Sequence, residues 1–348
     1  MNERPSNERL AIVIFNLGGP DSPAAVRPFL FNLFNDPSII PLPTPLRWLF
    51  ATTISTLRAK KSQGYYARLG GKSVLLPETQ AQADALEKEM QKTAPNSKVF
   101  VFMRYWHPMA KEVVAGLKAY QPTRIVALPL YPQFSTTTTG TSLKALALEA
   151  KRQSLTTPIE ELCCYPTADG FIAPIAEALR AAHATASTHG KPRVLFSAHG
   201  LPKKTIAGGD PYEWQVHQST EAVVARAAIP NLDWNICYQS RVTPVEWLGP
   251  SVENEIKRAG ADKVPLIIVP IAFVSEHVET LVELDETMKE LATSVGVPHF
   301  SRLAAVRTAP AFISALAQFT AFLRGKHSPC SATGKRICPA NFARCPHV

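Results

Sequence analysis

The fold class follows from the stretch Val264-Pro-Leu-Ile-Ile-Val-Pro270 and the residues after it. Its run of apolar side chains, broken only by Pro265 and Pro270, predicts a β-strand that is buried on both faces, as in a parallel sheet. Residues 277–293 then carry apolar side chains at helical spacing, which predicts a helix. A strand that leads into a helix is the repeating unit of an α/β fold.

This strand–helix unit recurs along the chain. Short runs rich in valine, isoleucine and leucine predict strands at 10–17, 98–103, 124–130, 159–164, 193–198, 233–238, 264–270 and 299–306. Helical spacing predicts helices at 77–93, 108–119, 142–153, 170–187, 213–228, 251–259, 277–293 and 309–323. Because such alternation produces parallel sheets, we expect two groups of four strands, in residues 8–168 and 169–325, before a tail at 326–348.

The net charge of +9 is concentrated in two segments. Residues 41–77 contain six basic residues and no acidic residue, and residues 324–348 contain five basic residues and no acidic residue. The rest of the chain is therefore close to neutral. A protein that coats nucleic acid has a broadly basic surface, so this pattern predicts no nucleic-acid partner.

Several common classes of protein are disfavoured by motif. Gly18-Gly19 lacks the G-x-G-x-x-G spacing of a dinucleotide site, and the chain has neither a P-loop nor the G-x-S-x-G elbow of a hydrolase. The first residues include acidic side chains and an apolar run of only about eight residues, unlike a signal peptide. No apolar run approaches the ~20 residues that span a bilayer. We therefore expect a cytoplasmic protein.

Polar and reactive side chains follow the predicted strands, where ligands collect in α/β sheets. His199 follows one strand, and Arg104 and Tyr105 follow another. The stretch Ser275-Glu-His-Val-Glu279 follows a third, and Glu283 comes four residues later. Imidazole with carboxylate suits a divalent cation such as Fe(II). The arginine suits either a substrate carboxylate or an interdomain ion pair.

Together these motifs resemble those of the ferrochelatases, which insert Fe(II) into a porphyrin in haem synthesis. The similarity runs in order from about residue 10 to residue 285, and the similarity of fold is expected to extend to about residue 325. The matching stretches are Asn16-Leu-Gly-Gly-Pro-Asp21, Tyr66-Ala-Arg-Leu-Gly-Gly71, Arg104-Tyr105 with His107-Pro108, Tyr131-Pro-Gln-Phe-Ser135 with Thr138-Thr-Gly140, Ser197-Ala-His-Gly-Leu-Pro202, Tyr238-Gln-Ser-Arg241, Trp247-Leu-Gly-Pro250 and residues 269–285.

The resemblance implies two Rossmann-like, doubly wound halves, each with a four-stranded parallel sheet, and an active-site cleft between them. It makes His199 the proton acceptor and metal contact, and Glu279 the opposing carboxylate. A secondary acidic path for metal or protons is expected at Glu276, His277 and Glu283. The porphyrin pocket is expected at Tyr66, Ser73, Arg104, Tyr105, Trp247 and Phe273. The family often has a carboxylate eight positions after Glu279, where this chain has Thr287 beside Glu286.

The reaction implied by the resemblance is insertion of Fe(II) into protoporphyrin IX, with release of two pyrrole protons. A cleft that fits a bent macrocycle better than a flat one lowers the barrier, because bending exposes the nitrogen lone pairs to the metal. One alternative is the same reaction on coproporphyrin. The others are a cobalt chelatase for a corrin precursor, and a two-lobed protein that binds haem or metal without catalysis.

The tail contains Cys330, Cys338 and Cys345. Three tail thiolates and one internal thiolate make the four that a [2Fe–2S] cluster needs, and some ferrochelatases carry such a cluster. The internal ligand would be Cys163 or Cys164, because the loop after Tyr131 has no cysteine. Zinc in the same thiolates and a tail with free thiols are the alternatives.

Residues 41–61 combine leucine, isoleucine, phenylalanine and tryptophan with arginine and lysine, without an acidic residue. This pattern suits a lip of the cleft that touches a membrane surface. It also suits the apolar ring and propionate edges of a porphyrin, or an ordinary packed helix. Peripheral membrane contact is therefore a hypothesis, and the oligomeric state is left open.

Overall fold

Two parallel sheets flanked by helices make up the fold, in a computed structural model that describes residues 8–240, 245–326 and 328–347. The N-terminal half contains β1 (Leu10–Asn16), α1 (Val26–Phe34), α2 (Thr44–Ala67), α3 (Leu75–Gln91), β2 (Ser97–Met103), α4 (Ala110–Tyr120), β3 (Arg124–Pro129), a π-helical turn (Thr136–Gly140), α5 (Thr141–Arg152) and β4 (Ile159–Cys164).

The C-terminal half contains α6 (Asp169–Ala186), a 3₁₀ turn (Ser187–His189), β5 (Arg193–His199), α7 (Lys203–Ala207), α8 (Tyr212–Ala227), β6 (Asp233–Gln239), α9 (Val252–Asp262), β7 (Leu266–Pro270), a π-helix (Glu279–Met288), α10 (Lys289–Ser294), β8 (Phe300–Arg302) and α11 (Pro310–Phe322). The tail adds β9 (Cys330–Ser331).

The strand order confirms the two parallel α/β halves. Within the described residues, the first sheet has the order β2-β1-β3-β4-β9 and the second has the order β6-β5-β7-β8. The first sheet has five strands instead of the predicted four, because Cys330 pairs with Leu162 and Ser331 pairs with Cys164. The tail thus supplies an edge strand to the N-terminal sheet.

Burial on both faces explains why the strands are so apolar. Every residue of β1, β3 and β7 is buried. One hydrophobic core includes Ile14 of β1, Phe196 of β5 and Phe312 of α11, so it continues from one half into the other. The helix α11 packs against both α6 and α3. The two sheets are therefore parts of one packed body.

Polar contacts also join the halves. The side-chain nitrogen of Gln82 donates to the carbonyls of Val274 at 2.9 Å and Arg307 at 3.0 Å. The hydroxyl of Ser275 donates to the side-chain oxygen of Gln82 at 2.8 Å. These bonds are buried or nearly so, and they fix the loop after β7 against α3.

The predicted lip is the 24-residue helix α2. Its start is anchored by Arg47, whose guanidinium donates to the carbonyl of Asn35 at 2.9 Å. Leu46, Trp48 and Leu49 are more than half exposed, so much of the apolar surface of α2 faces outward. Across the three described ranges, no helix has the length and apolar composition needed to cross a membrane.

Candidate active site

His199 and Glu279 form the centre of the site. His199 is the last residue of β5, and Glu279 follows β7, the neighbouring strand. The order of the second sheet reverses between these two strands, which is where α/β proteins bind their ligands. Nδ1 of His199 lies 2.8 Å from Oε2 of Glu279. The two side chains are 34% and 21% exposed, so a ligand in the cleft can reach both.

The pair is electrostatically coupled. Burial lowers the pKa of His199, but the Glu279 carboxylate outweighs burial, and the pKa of His199 is raised above 6.5. Burial raises the pKa of Glu279, but His199 and His277 hold it well below its usual value. The contact therefore makes His199 a stronger base than a free histidine.

Glu283 also lies on the acidic side of the site. It accepts hydrogen bonds from the backbone nitrogen of Ser240 at 3.0 Å and from its hydroxyl at 2.5 Å. Burial and the charge of Glu279 raise the pKa of Glu283, although the bonds from Ser240 oppose this. Glu283 can therefore exchange a proton nearer neutral pH than an ordinary glutamate can.

The π-helix at Glu279–Met288 changes the spacing of the acidic side chains. A π-helix has more residues in each turn than an α-helix, so the regular line of carboxylates expected for an α-helix is not formed. Glu286 instead makes a partly exposed ion pair with Arg68 of the lip at 2.9 Å. That ion pair joins the π-helix to the end of α2.

The carboxylate of Glu276, which the sequence placed on the acidic path, is held by donors of the C-terminal half. One carboxylate oxygen accepts from Arg302 at 3.1 Å and from the backbone nitrogen of Ala305 at 2.9 Å. The other accepts from the hydroxyl of Thr280 at 2.5 Å. All of these donors belong to the second half, so Glu276 anchors the start of the π-helix.

His277 lies beside Glu279. Its Nε2 atom is 3.6 Å from Oε2 of Glu279, and its ring centroid is 4.6 Å from that of Phe273. Its Nδ1 atom is buried and has no hydrogen-bond partner among the described residues. Glu279 therefore has an imidazole neighbour in addition to His199, and Phe273 lies next to that neighbour.

Arg104 and Tyr105 converge on Asp36. Arg104 is 2.5 Å from a carboxylate oxygen of Asp36, and the hydroxyl of Tyr105 donates to the same oxygen at 2.9 Å. Thr141 also donates to it, at 2.5 Å. Burial raises the pKa of Asp36, but the charge of Arg104 together with the hydrogen bonds from Thr141, Ser38 and Tyr105 outweighs burial, and the pKa is lowered. Arg104 is thus paired inside the N-terminal half and not with a residue of the other half, and its contact with a substrate carboxylate stays a prediction.

Tyr66 and Tyr131 bring the N-terminal half to Glu279. Burial first, and then the charge of Glu279, raise the pKa of Tyr66. The same two causes raise the pKa of Tyr131, although Arg104 opposes them. Both phenols of the N-terminal half therefore lie within electrostatic range of Glu279 in the C-terminal half. Tyr66 was predicted as a pocket residue, whereas Tyr131 was noted only as part of a motif.

Ser73 lies against the motif after β1, and Trp247 lies against the motif after β5. A Cβ atom at Gly19 would overlap the side chain of Ser73, and the backbone nitrogen of Ser73 donates to the carbonyl of Pro20 at 2.7 Å. Only glycine fits this approach of the lip to the end of β1. Trp247 forms an antiparallel bridge with Pro202, just after His199. Arg241 of the nearby motif lies outside the described residues.

Five cysteines gather where the tail meets β4. The sulfur atoms of Cys163 and Cys164 are 3.4 Å apart. Hydrogen bonding with Cys338 lowers the pKa of Cys345 to about 6, and Cys330 lies in the strand that pairs with β4. Among the described residues, no three His, Cys, Asp or Glu side chains converge as ligands of one metal ion would.

Asp36, Ser240 and Tyr131 are site residues that sequence reasoning missed. Asp36 and Ser240 are defined by contacts with residues far away in the chain, with Arg104 and Glu283 respectively. Tyr131 and Ser240 nevertheless carried a local signal, because each lies within two positions of a strand end, Pro129 of β3 and Gln239 of β6 respectively. A rule that inspects every polar residue within two positions of a strand end would have found Tyr131 and Ser240.

Comparison with known proteins assigns the family. A family model described as Ferrochelatase matches residues 9–321. The chain is 49% identical to the ferrochelatase of Caulobacter vibrioides over 343 residues, 97% of each protein. It is 50% identical to that of Phenylobacterium zucineum over 342 residues, again 97% of each. SirB from Bacillus subtilis with Fe³⁺ has a TM-score of 0.50 at 12% identity, over 91% of this chain and 96% of that chain, which supports the fold alone. With these matches over nearly its whole length, the chain belongs to the ferrochelatase family.

Proposed function

We propose that this enzyme inserts Fe(II) into protoporphyrin IX and that His199 accepts the pyrrole protons. The observation that carries the proposal is the 2.8 Å contact between His199 and Glu279 at the switch point of the second sheet. Metallation replaces two N–H protons by one dication, so the site needs a base within reach of the macrocycle. Membership of the ferrochelatase family supports the same reaction.

Each acidic residue has a separate role in this proposal. Glu279 orients the imidazole and balances the charge that His199 gains on taking a proton. Glu283 has a raised pKa and is close enough to His199 to affect its charge, so it receives protons next. Iron approaches the macrocycle from the side of His199 and Glu279, whose imidazole and carboxylate suit Fe(II) as a substrate.

Protoporphyrin is favoured over coproporphyrin by the exposed apolar residues of the lip and by the pairing of two arginines near the site. Coproporphyrin carries more propionate groups than protoporphyrin, so its site needs more basic side chains that are not already paired with an acidic residue. Arg104 is already paired with Asp36, and Arg68 with Glu286. The exposed apolar residues of α2 suit the less charged macrocycle.

The test is anaerobic incubation of the purified protein with Fe(II) and protoporphyrin, with the free-base spectrum followed over time. We expect the spectrum to convert to that of haem, at a rate that falls at least ~100-fold in His199→Ala. His217→Ala is the matched control, because His217 is an exposed histidine on α8. Porphyrin binding without conversion supports the non-catalytic alternative, and faster conversion of coproporphyrin reverses the substrate choice.

We also propose a [2Fe–2S] cluster held by Cys330, Cys338, Cys345 and one of Cys163 and Cys164. The support is the donor set, since all five of these thiols are buried and thiolates are what such clusters take. The positive charge of Arg336 acts on Cys345, which favours its thiolate. Metal insertion needs no redox change, so the bound cluster would serve to tie the tail to β4.

The cluster is tested by visible absorption and metal analysis of protein purified anaerobically from iron-replete cells. We expect a coloured protein with iron and inorganic sulfide, and loss of the colour in Cys330→Ser. Cys163→Ser and Cys164→Ser identify the internal ligand, because only one of them should abolish the colour. A colourless protein that contains zinc supports the zinc alternative, and one without metal supports free thiols.

We infer, finally, a cytoplasmic enzyme that touches a membrane surface through residues 41–61. The support is the exposure of Leu46, Trp48 and Leu49, which are 57%, 54% and 59% exposed. Basic residues at Arg58, Lys60 and Lys61 would face anionic lipid.

A further inference from the structure

We propose that the first turn of α8 couples the tail cysteines to the active site, with Tyr212 and Gln215 as positioning residues. Tyr212 contacts the backbone of His199, and Gln215 contacts the sulfur atoms of Cys338 and Cys164. The inference rests on the proposed role of His199. It adds two residues that no motif of the sequence indicated.

Tyr212 holds the peptide that carries the catalytic imidazole. Its hydroxyl donates to the carbonyl of His199 at 3.1 Å. The tyrosine is buried, and burial raises its pKa well above 10, so the hydroxyl remains a donor at all relevant pH values. On the other side, the backbone nitrogen of Gly200 donates to the carbonyl of Gln239 at 2.9 Å. The end of β5 is therefore held between β6 and the start of α8.

Gln215 lies three residues later, on the same face of α8. Its side-chain nitrogen is 3.1 Å from the sulfur of Cys338 and 3.5 Å from the sulfur of Cys164. Its side-chain oxygen accepts from the backbone nitrogen of Phe134 at 2.7 Å. Gln215 is fully buried. One side chain thus joins the tail, β4 and the loop after β3 to the helix that positions His199.

The tail contacts the start of α8 by a second route. The backbone nitrogen of Arg344 donates to the carbonyl of Gly209 at 3.1 Å. Gly209 has a φ of +92°, and a Cβ atom there would lie only 3.0 Å from the backbone nitrogen of Ala343. The next residue, Asp210, accepts from the backbone nitrogen of Tyr212 at 3.0 Å. The tail therefore packs against Gly209, the residue before Asp210, and the carboxylate of Asp210 holds the first residue of α8.

Asp210 extends this contact to the loop after β3. The carboxylate oxygen of Asp210 that does not bind Tyr212 accepts from the hydroxyl of Ser135 at 3.0 Å and from the backbone nitrogen of Thr136 at 2.7 Å. Asp210 is fully buried. A displacement of the tail must therefore move the start of α8, and with it the carbonyl of His199. Because coupling between two sites is reciprocal, disturbing the His199 contact must also loosen the tail.

The test is a double-mutant cycle on the rate of iron insertion. Tyr212→Phe keeps the buried ring and removes its hydroxyl, and Gln215→Met keeps the volume and removes the donor to sulfur. Each variant should lower kcat about fivefold, as expected for one neutral hydrogen bond, with little change in the KM for porphyrin. If the two residues act through one element, kcat of the double variant should also fall about fivefold. Independent effects would instead multiply to a loss of ~25-fold. Gln218→Met is the matched control, because the side-chain nitrogen of Gln218 donates to Glu221 at 3.2 Å on the exposed side of α8, and this variant should keep kcat.

Hydrogen exchange gives a readout that does not depend on activity. Gln215→Met should speed exchange at 197–202, which residue 215 does not touch, and Tyr212→Phe should speed exchange at 330–345. Two results would overturn the coupling. One is a loss of kcat in the double variant equal to the product of the two single losses. The other is hydrogen exchange that changes only in the segment around each substituted residue. If the wild-type protein does not metallate porphyrin at all, the proposed function fails, and the exchange measurement still decides whether the two regions are coupled.

Discussion

Nδ1 of His199 lies 2.8 Å from Oε2 of Glu279, although 80 residues separate the two in the chain. The contact exists because β5 and β7 are neighbours in the sheet and both lead toward the same edge. It has a chemical consequence as well as a structural one. The carboxylate holds the pKa of the imidazole above its ordinary value, which makes His199 a suitable proton acceptor.

The first prediction concerns the pH dependence of iron insertion. His199 must be neutral to accept a pyrrole proton, and its pKa is raised above 6.5, so kcat/KM should rise with pH through a midpoint above 6.5. Glu279→Gln removes the charge that raises this pKa, so the midpoint should move to lower pH while the maximum rate falls. The measurement is kcat/KM for porphyrin across the neutral range. An unchanged midpoint in Glu279→Gln would show that another group titrates.

The same shifts set how the pair affects folding. The pKa of His199 is raised, so its contribution to stability is complete below about 6.5, its unfolded value, and is lost as the pH rises through the folded pKa. The pKa of Glu279 is lowered, so its contribution is complete above the unfolded value and is lost as the pH falls through the folded pKa. Stabilisation by the pair is therefore greatest between about pH 4.5 and pH 6.5.

The second prediction separates Glu283 from the other acidic residues of the π-helix. Glu283→Gln removes the proposed proton receiver and weakens the bonds from Ser240, so kcat should fall about tenfold. Glu286→Gln is the matched control on the same helix, since its partner Arg68 and its own carboxylate are both over 40% exposed. We expect its kcat to stay within about twofold. Equal losses in the two variants would argue against a proton path through Glu283.

The sequence predicted eight of the nine strands that the structure describes, because strand burial leaves a strong local signal. Apolar runs identified β5 and β7; His199 ends β5, and Glu279 begins the π-helix that follows β7. The edge strand β9 was missed, because a two-residue strand has no periodicity to detect. It forms only where the tail meets β4.

The site was predicted less completely than the fold, for a physical reason. Closeness in sequence placed Glu276 with Glu279, but the side chain of Glu276 turns toward Arg302. Conversely, Asp36 stands next to Arg104 in space and 68 residues from it in sequence. Which side of the backbone a carboxylate faces depends on its distant partners, and the sequence alone does not show them.

The third prediction concerns the stability of the buried group around Asp36. Asp36→Asn leaves Arg104 without its charged partner and weakens the bonds from Tyr105 and Thr141, so the free energy of unfolding should fall by about 3 kcal/mol. Glu246→Gln is the control, because the Glu246–Lys203 pair is exposed, and it should cost at most about 1 kcal/mol. Urea denaturation near neutral pH measures both. A loss in Asp36→Asn no larger than in the control would show that the buried pair contributes little.

The fourth prediction concerns the lip. Leu46 and Leu49 are 57% and 59% exposed on α2, so replacing both with glutamate should leave the fold intact. If this surface inserts into a bilayer, the double variant should no longer float with anionic vesicles, because it loses apolar area and gains charge that anionic lipid repels. Leu148→Glu is the matched control, since Leu148 is 60% exposed on α5. It should still float.

Binding of the wild-type protein should also weaken as salt is added, because the basic residues after the apolar stretch act through screened charges. Wild-type protein that fails to float with anionic vesicles would remove the membrane hypothesis and leave a porphyrin-binding surface or an ordinary packed helix as the alternatives for α2.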